Sequence, residues 1–294
     1  MNNLTFGCSL ISIVGLTIIL FASPVSAGRQ PKWEAGVGGV GVLVPHYQGS
    51  NHYYKFTVPV PVAVFRTEFA ELGQGTKFLL WESDSILVDF GFGGRIPVQS
   101  AGENDKKPQG ADNPGSEIYQ LTNYTRRGMD NLPLSFFWGL RFKWFFNEHL
   151  LLEVPLLNGL TVGGGFRHVG NIADPELSID LFDRESDNSL SLSISWLHGD
   201  ANYNNFYYKV DREDVIQGRP EYQADSGLVD ISFGLAWRFQ ITDQFSVRGA
   251  YIGHQMDDSV VRGSPLVISK KSRSVAFSFT YFFFQSNESV RTWK

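Results

Sequence analysis

The chain reads as an all-β protein, a transmembrane antiparallel β-barrel of about 12 strands with 14 next in line. Three observations carry this. The late run Val275–Phe284 puts Val275, Phe277, Phe279, Tyr281 and Phe283 on one side and Ala276, Ser278 and Thr280 on the other, the alternation of a strand whose outer surface meets lipid. The first 27 residues read as a secretory signal. The 24 Phe, 11 Tyr, 7 Trp and 30 Gly are spread over short alternating runs, not helix-period stripes.

At the N-terminus, Leu10 to Phe21 is an apolar run too short to span a bilayer, and Ala22-Ser23-Pro24-Val25-Ser26-Ala27 supplies small residues for cleavage before Gly28. Met1 to Ser9 carry no Lys or Arg, which is atypical of such a signal. Cys8 is the only cysteine and falls within it, so the mature chain is expected to hold no disulfide and no thiolate. The signal is uncharged, so the mature chain keeps the net charge of -5, which gives no basic footprint for nucleic acid. No later segment reaches eighteen consecutive apolar residues, as a membrane-spanning helix requires. About 265 residues then remain for residues 28–284 as barrel and 285–294 as a C-terminal extension.

The first strand is Trp33 to Val44. Its glycines open the mature chain and lead to Pro45-His46-Tyr47-Gln48-Gly49, so they suit close packing against a neighbouring strand and not a dinucleotide loop. Tyr54 to Arg66 follows, and Pro59 and Pro61 each remove a ladder donor, which makes this strand irregular. Thr76 to Glu82 and Ser85 to Pro97 are next. Gln99 to Ser116 is the clearest loop, extended by its polarity to Asn131. Further strands are Leu134 to Phe146, His149 to Leu156, Leu160 to His168, Glu176 to Asp183, Ser189 to His198, Tyr203 to Val210, Leu228 to Ile241 and Phe245 to His254. With the terminal strand this makes an odd number, whereas bacterial single-chain barrels have even counts. Either His149 to His168 is one strand or Glu117 to Tyr124 is an extra one, and the sides of the loops stay open. Trp138, Trp144, Phe145 and Phe146 fit an interfacial aromatic girdle.

Catalytic, cofactor and metal residues are expected to be none. Ser189, Ser191, Ser193 and Ser195 precede His198 and Asp200, the residue types of a serine hydrolase, yet they alternate with Leu190, Leu192 and Ile194 as a polar-in, apolar-out wall does. His254 with Asp257 and Asp258, and the acidic runs Asp183 to Asp187 and Asp211 to Asp214, read as solvated turns because arginines interrupt the latter two and no ordered ligand loop is present. His46 and His52 lack the carboxylate spacing of a metal site.

Several segments together resemble the MltA-interacting protein (MipA) / OmpV family of outer-membrane proteins: Pro45-His46-Tyr47-Gln48-Gly49-Ser50 with the prolines at 59 and 61, Arg127-Gly128-Met129-Asp130-Asn131-Leu132, Asn205-Phe206-Tyr207-Tyr208-Lys209-Val210, Tyr222 with Ser226 and Gly227, Ser264-Pro265-Leu266-Val267, and the terminal aromatic strand. The chain departs from the pattern at Lys209, where glycine is usual, at Gly263, where an acid is usual, in Thr161 to Asp174, and in the extension from Gln285 to Lys294. The resemblance implies a non-enzymatic scaffold anchored in outer-membrane lipid after export through the periplasm of a Gram-negative-type bacterium. Such a scaffold joins a lytic transglycosylase and a murein synthase through periplasmic turns. Glu103 to Asn131 and Asp211 to Ser226 are candidate contact loops by length and polarity alone. Two other readings remain beside it: a passive channel for small solutes, permitted by the small, polar inward residues, and a surface adhesin.

Overall fold

A computed structural model describes residues 29–293 apart from 74, 110, 114, 164 and 183–185. The expected signal segment with Cys8, the expected start at Gly28 and the acidic stretch at Asp183 therefore lie outside the described residues. Seventeen strands are present: β1 (Arg29–Pro31), β2 (Trp33–Pro45), β3 (Tyr53–Arg66), β4 (Ala70–Leu72), β5 (Lys77–Glu82), β6 (Ile86–Arg95), β7 (Gln99–Ser100), β8 (Thr122–Asn123), β9 (Leu134–Phe145), β10 (Leu150–Val162), β11 (His168–Ala173), β12 (Glu176–Asp180), β13 (Ser189–Gly199), β14 (Gly227–Thr242), β15 (Phe245–Gln255), β16 (Lys271–Gln285) and β17 (Ser289–Arg291). Among the described residues one α-helix, α1 (Ala201–Tyr208), and a 3-10 turn at Arg212–Asp214 interrupt them.

Strands β2 to β6, β9, β10 and β13 to β16 pair in chain order, all antiparallel, with β11 and β12 as the two halves of one wall strand between β10 and β13. β16 returns to β2 and β9 joins β6 to β10, so the row closes on itself. Counted around the wall this is twelve strands. Three differences from the sequence reading, one strand gained and two lost, bring its odd count to that number. Leu150–Val162 is continuous, and the chain turns back at 163–167 into β11. Ala70–Leu72 forms a strand too short for alternation to reveal. In the segment read as the strand Tyr203 to Val210, residues 203–208 are helix: Asp200 accepts a hydrogen bond from the Tyr203 amide and caps α1, and Val210 makes only an isolated bridge to Tyr222.

The alternation survives in the wall. Phe277, Phe279, Tyr281 and Phe283 are exposed on the outside of β16, while Ala276, Ser278 and Thr280 are buried on the inside. Trp138, Trp144 and Phe146 also face out, but Phe145 points inward and packs with Leu87 and Trp293. The glycines of β2 meet the neighbour as expected: a Cβ on Gly39 would stand 2.5 Å from the Phe279 ring, so an aromatic belt residue lies flat across the strand. No helix among the described residues is long and apolar enough to cross a membrane.

The two ends differ. One end carries short turns at 67–69, 83–85, 146–149 and 243–244 together with the terminal segments. There β1 pairs with β17, Lys32 meets Glu288 at 3.1 Å, and Trp293 is buried, so the C-terminal extension folds back on the barrel. The opposite end carries the long connections 46–52, 96–133, 200–226 and 256–270. These are the turn end and the loop end.

Candidate functional site

The long connections fold into one core at the loop end. Tyr47, Val98, Met129, Leu132, Tyr203, Tyr207, Tyr208, Val210, Met256, Val261 and Leu266 pack together with Phe137, Val169 and Leu197 of the wall. Hydrogen bonds tie each loop to another: Tyr208 Oη donates to Gln48 O at 3.0 Å, Ser264 Oγ to Tyr208 O at 2.7 Å, Tyr47 Oη to Leu266 O at 3.1 Å, and Arg219 Nη1 to Arg127 O at 2.8 Å. Beneath them the Arg95 guanidinium sits 5.7 Å from the Tyr203 ring centroid and 6.0 Å from that of Tyr207, so the lumen-facing side of the cap is aromatic and held by a cation. Four segments that carry the family resemblance, at 45–50, 127–132, 205–210 and 264–267, meet in this cap. Lys209 ends α1 with φ -67°, so a position where glycine is usual requires no left-handed backbone here.

His46 and His52 are brought together within the cap, their ring centroids 5.9 Å apart. His46 stacks on Tyr54 at 4.0 Å and its Nε2 bonds Gln120 O at 2.9 Å, while His52 Nε2 accepts from the Tyr124 amide at 3.2 Å. Burial, with the neighbouring His52, lowers the His46 pKa to about 3; burial and Lys107 lower that of His52 to about 4. Both rings are therefore neutral linkers between the 46–52 and 96–133 connections near pH 7.

Below the cap the lumen is divided. Ser191, Ser193, Ser195, Glu153, Asp174, Glu176 and Asp230 line a cavity of about 330 Å³ on one side. The opposite wall is apolar, with Val40, Val42, Val62 and Val64 buried inside β2 and β3. Toward the turn end the lumen is crossed by ion pairs. Asp89, fully buried, meets Arg141 at 2.5 Å and Lys143 at 3.5 Å; Arg66 meets Glu34 at 2.5 Å and Glu71 at 3.7 Å. Charges this buried persist because each faces a partner.

The serine-hydrolase residues considered from sequence are not brought together. Ser195 faces the lumen, His198 is exposed on the opposite face of β13, and Asp200 is engaged with α1 and with Asn171. A different set does meet. His254 Nδ1 lies 2.6 Å from Asp230 Oδ2, its Nε2 is 2.9 Å from Ser274 Oγ, and Ser232 Oγ donates to Asp230 at 2.7 Å. The order Asp–His–Ser is that of a nucleophile relay. Ser274 nevertheless stands within β16 in register with Ile252, so the amides around it belong to the sheet. The tight turn or helix N-terminus that offers free amides to an oxyanion is not at this position. The arrangement links β14, β15 and β16 and satisfies buried polar groups. Sequence reasoning missed it because the three residues are scattered, although all lie at the inward phase of consecutive strands.

The family model described as MltA-interacting protein MipA matches residues 37–283. Curated proteins gave no match. Among solved structures, the chain is similar to the NanC porin at 8% identity and a TM-score of 0.36, covering 84% of this chain and 98% of that one. It is similar to an outer membrane channel from Pseudomonas putida F1 at 8% identity and TM-score 0.34, covering 85% and 96%. A Pseudomonas aeruginosa FadL homologue gives 9% identity and TM-score 0.33, covering 92% and 98%. At these scores the superpositions are loose.

Proposed function

The chain belongs to the MltA-interacting protein MipA family, and from that premise we propose that this outer-membrane barrel is a non-enzymatic anchor. In this reading it holds a lytic transglycosylase and a murein synthase side by side at its turn end. The observation that supports an anchor over a conduit is the cap: the long connections converge over the lumen in one buried aromatic core. Short turns face the periplasm in barrels of this kind, and long loops face outward. Murein enzymes work on the periplasmic side, so the docking face is the turn end, with the turns at 146–149 and 243–244 and the β1–β17 pair. The loops 103–131 and 211–226, candidates on length and polarity, stand at the other end and serve the cap.

Cross-linked affinity purification from intact envelopes tests this. A photo-cross-linker at Asn147 or Asp243 captures a lytic transglycosylase and a murein synthase, and one at Asp214 captures neither. Equal capture from both ends, or none from the turn end, sinks the reading. The serine-lined cavity favours the rival passive channel for small solutes, which demands a stable current in planar bilayers.

A further inference from the structure

We propose that the wall between β3 and β6 is a lateral slot through which the apolar chain of a membrane amphiphile enters the lumen, lying along the valine-lined inner face of β2 and β3. The slot arises because the intervening hairpin is short. β3 pairs with β2 along its whole length, but with β4, among the described residues, only at Phe65 and Arg66. β5 reaches up β6 only to the pair Lys77 and Gly91, which leaves Phe92 to Arg95 bonded to β9 alone among the described pairings.

The direction of the β3 backbone can be read from its ends. The Arg66 amide donates to Lys32 O on the β2 side, and the Tyr53 amide donates to Ile118 O on the other. Amide directions alternate along an antiparallel strand, so Lys55, Thr57, Pro59 and Pro61 present their backbone to the slot, while Gly73 lies against the Ala63 carbonyl below it. From Lys55 to Pro61 this edge runs about 20 Å. Pro59 and Pro61 remove two of its donors, at the side where an edge strand tolerates proline. The same prolines make the edge a poor template for an added strand and lessen the cost of meeting hydrocarbon. An acyl chain, which asks for no hydrogen bonds, suits such an edge better than a polypeptide does.

Two further observations point inward from the slot. A cavity of about 370 Å³ is lined by Tyr54 and by Phe92, whose ring belongs to the outer face, together with the lumenal Arg95, Arg141, Glu153 and Glu176. The cavity thus reaches the β6 backbone beside the unpaired edge, where Gly91, Gly93 and Gly94 carry no side chains and the Arg141 guanidinium lies across Gly91. Val40 and Val42 with the partly buried Phe56 and Val60 then form an apolar patch inside a barrel whose other inner wall is serine and carboxylate. Barrel interiors are ordinarily polar. The chemistry selects an amphiphile: an apolar chain against the valines and a polar head toward Arg95, Arg141 and Glu153.

The test uses the full chain in vesicles of phosphatidylcholine carrying a photoreactive diazirine in its acyl chain, with labelled residues located by mass spectrometry. A lipid at the belt labels outward residues such as Phe277 in any case. The proposal requires additional label on the lumen-facing Val58 and Val60. Val60→Trp fills the patch and abolishes the label at Val58, and retained label at Phe277 reports that the variant still inserts. Label confined to outward residues in the unaltered protein overturns the proposal, whether or not Val60→Trp folds. So does a polypeptide cross-linked to Thr57 in native envelopes without lumenal lipid label.

Discussion

The two ends of this barrel are stabilised by different forces. The loop end is an aromatic core with neutral histidines and a short helix, held by hydrophobic burial and a few side-chain to carbonyl bonds. The turn end is held by strand ladders and buried ion pairs around Asp89, Glu34 and Arg66. A loop cap of this kind can open while the barrel persists, because its connections carry few ladder bonds. The ion pairs cannot be removed without disturbing the wall itself. The comparison separates a part that can yield from a part that must not.

The largest effect is expected at the turn end. Asp89→Ala strands Arg141 without a partner, leaves Lys143 with Glu153 alone, and costs about 3–5 kcal/mol, visible as a lower temperature for the heat-modifiable shift of the folded barrel on electrophoresis. A shift no greater than that of a surface change shows that the network is dispensable. Tyr208→Ala comes next. It removes a fully buried ring and the bond to Gln48, at roughly 3 kcal/mol, and the loss falls on the cap alone. Hydrogen exchange should quicken at Tyr53 and Ile118 while β14 to β16 stay protected; uniform quickening contradicts a separable cap.

Acid gives a third contrast. His46 and His52 have folded pKa values near 3 and 4, below their ordinary value, so an opened cap binds protons more readily than a closed one. Their contribution to closure is complete above about pH 6.5 and declines as pH falls toward 4, by about 1.4 kcal/mol per unit for each ring. Faster exchange in the 46–52 connection at pH 5 than at pH 7.5, absent in a His46→Gln, His52→Gln variant, is the expected result. The smallest effect is Asp200→Ala, which removes the cap of α1 at about 1 kcal/mol and should be seen in exchange of residues 201–208 and of the Asn171 amide that Asp200 also accepts.

Much of the wall was legible because period-two alternation is imposed by two solvents at once: Ser191, Ser193 and Ser195 face the lumen and Leu190, Leu192 and Ile194 the other side. β4 was not, since three residues cannot show a period. α1 was misread because Phe206, Tyr207 and Tyr208 favour strands, and the one contrary signal was Asp200 in capping position. The cap escaped the sequence reading altogether. Its core takes one or two residues from each of several distant loops, and only packing reveals that they meet. The prolines of β3 were visible at once, but their meaning waited on the direction of the edge they sit on.

Single-channel recording in planar bilayers tests the account most directly. The unaltered protein at pH 7.5 should insert and remain silent, with current appearing in Tyr208→Ala. A stable open current from the unaltered protein contradicts a closed anchor and makes the barrel a channel.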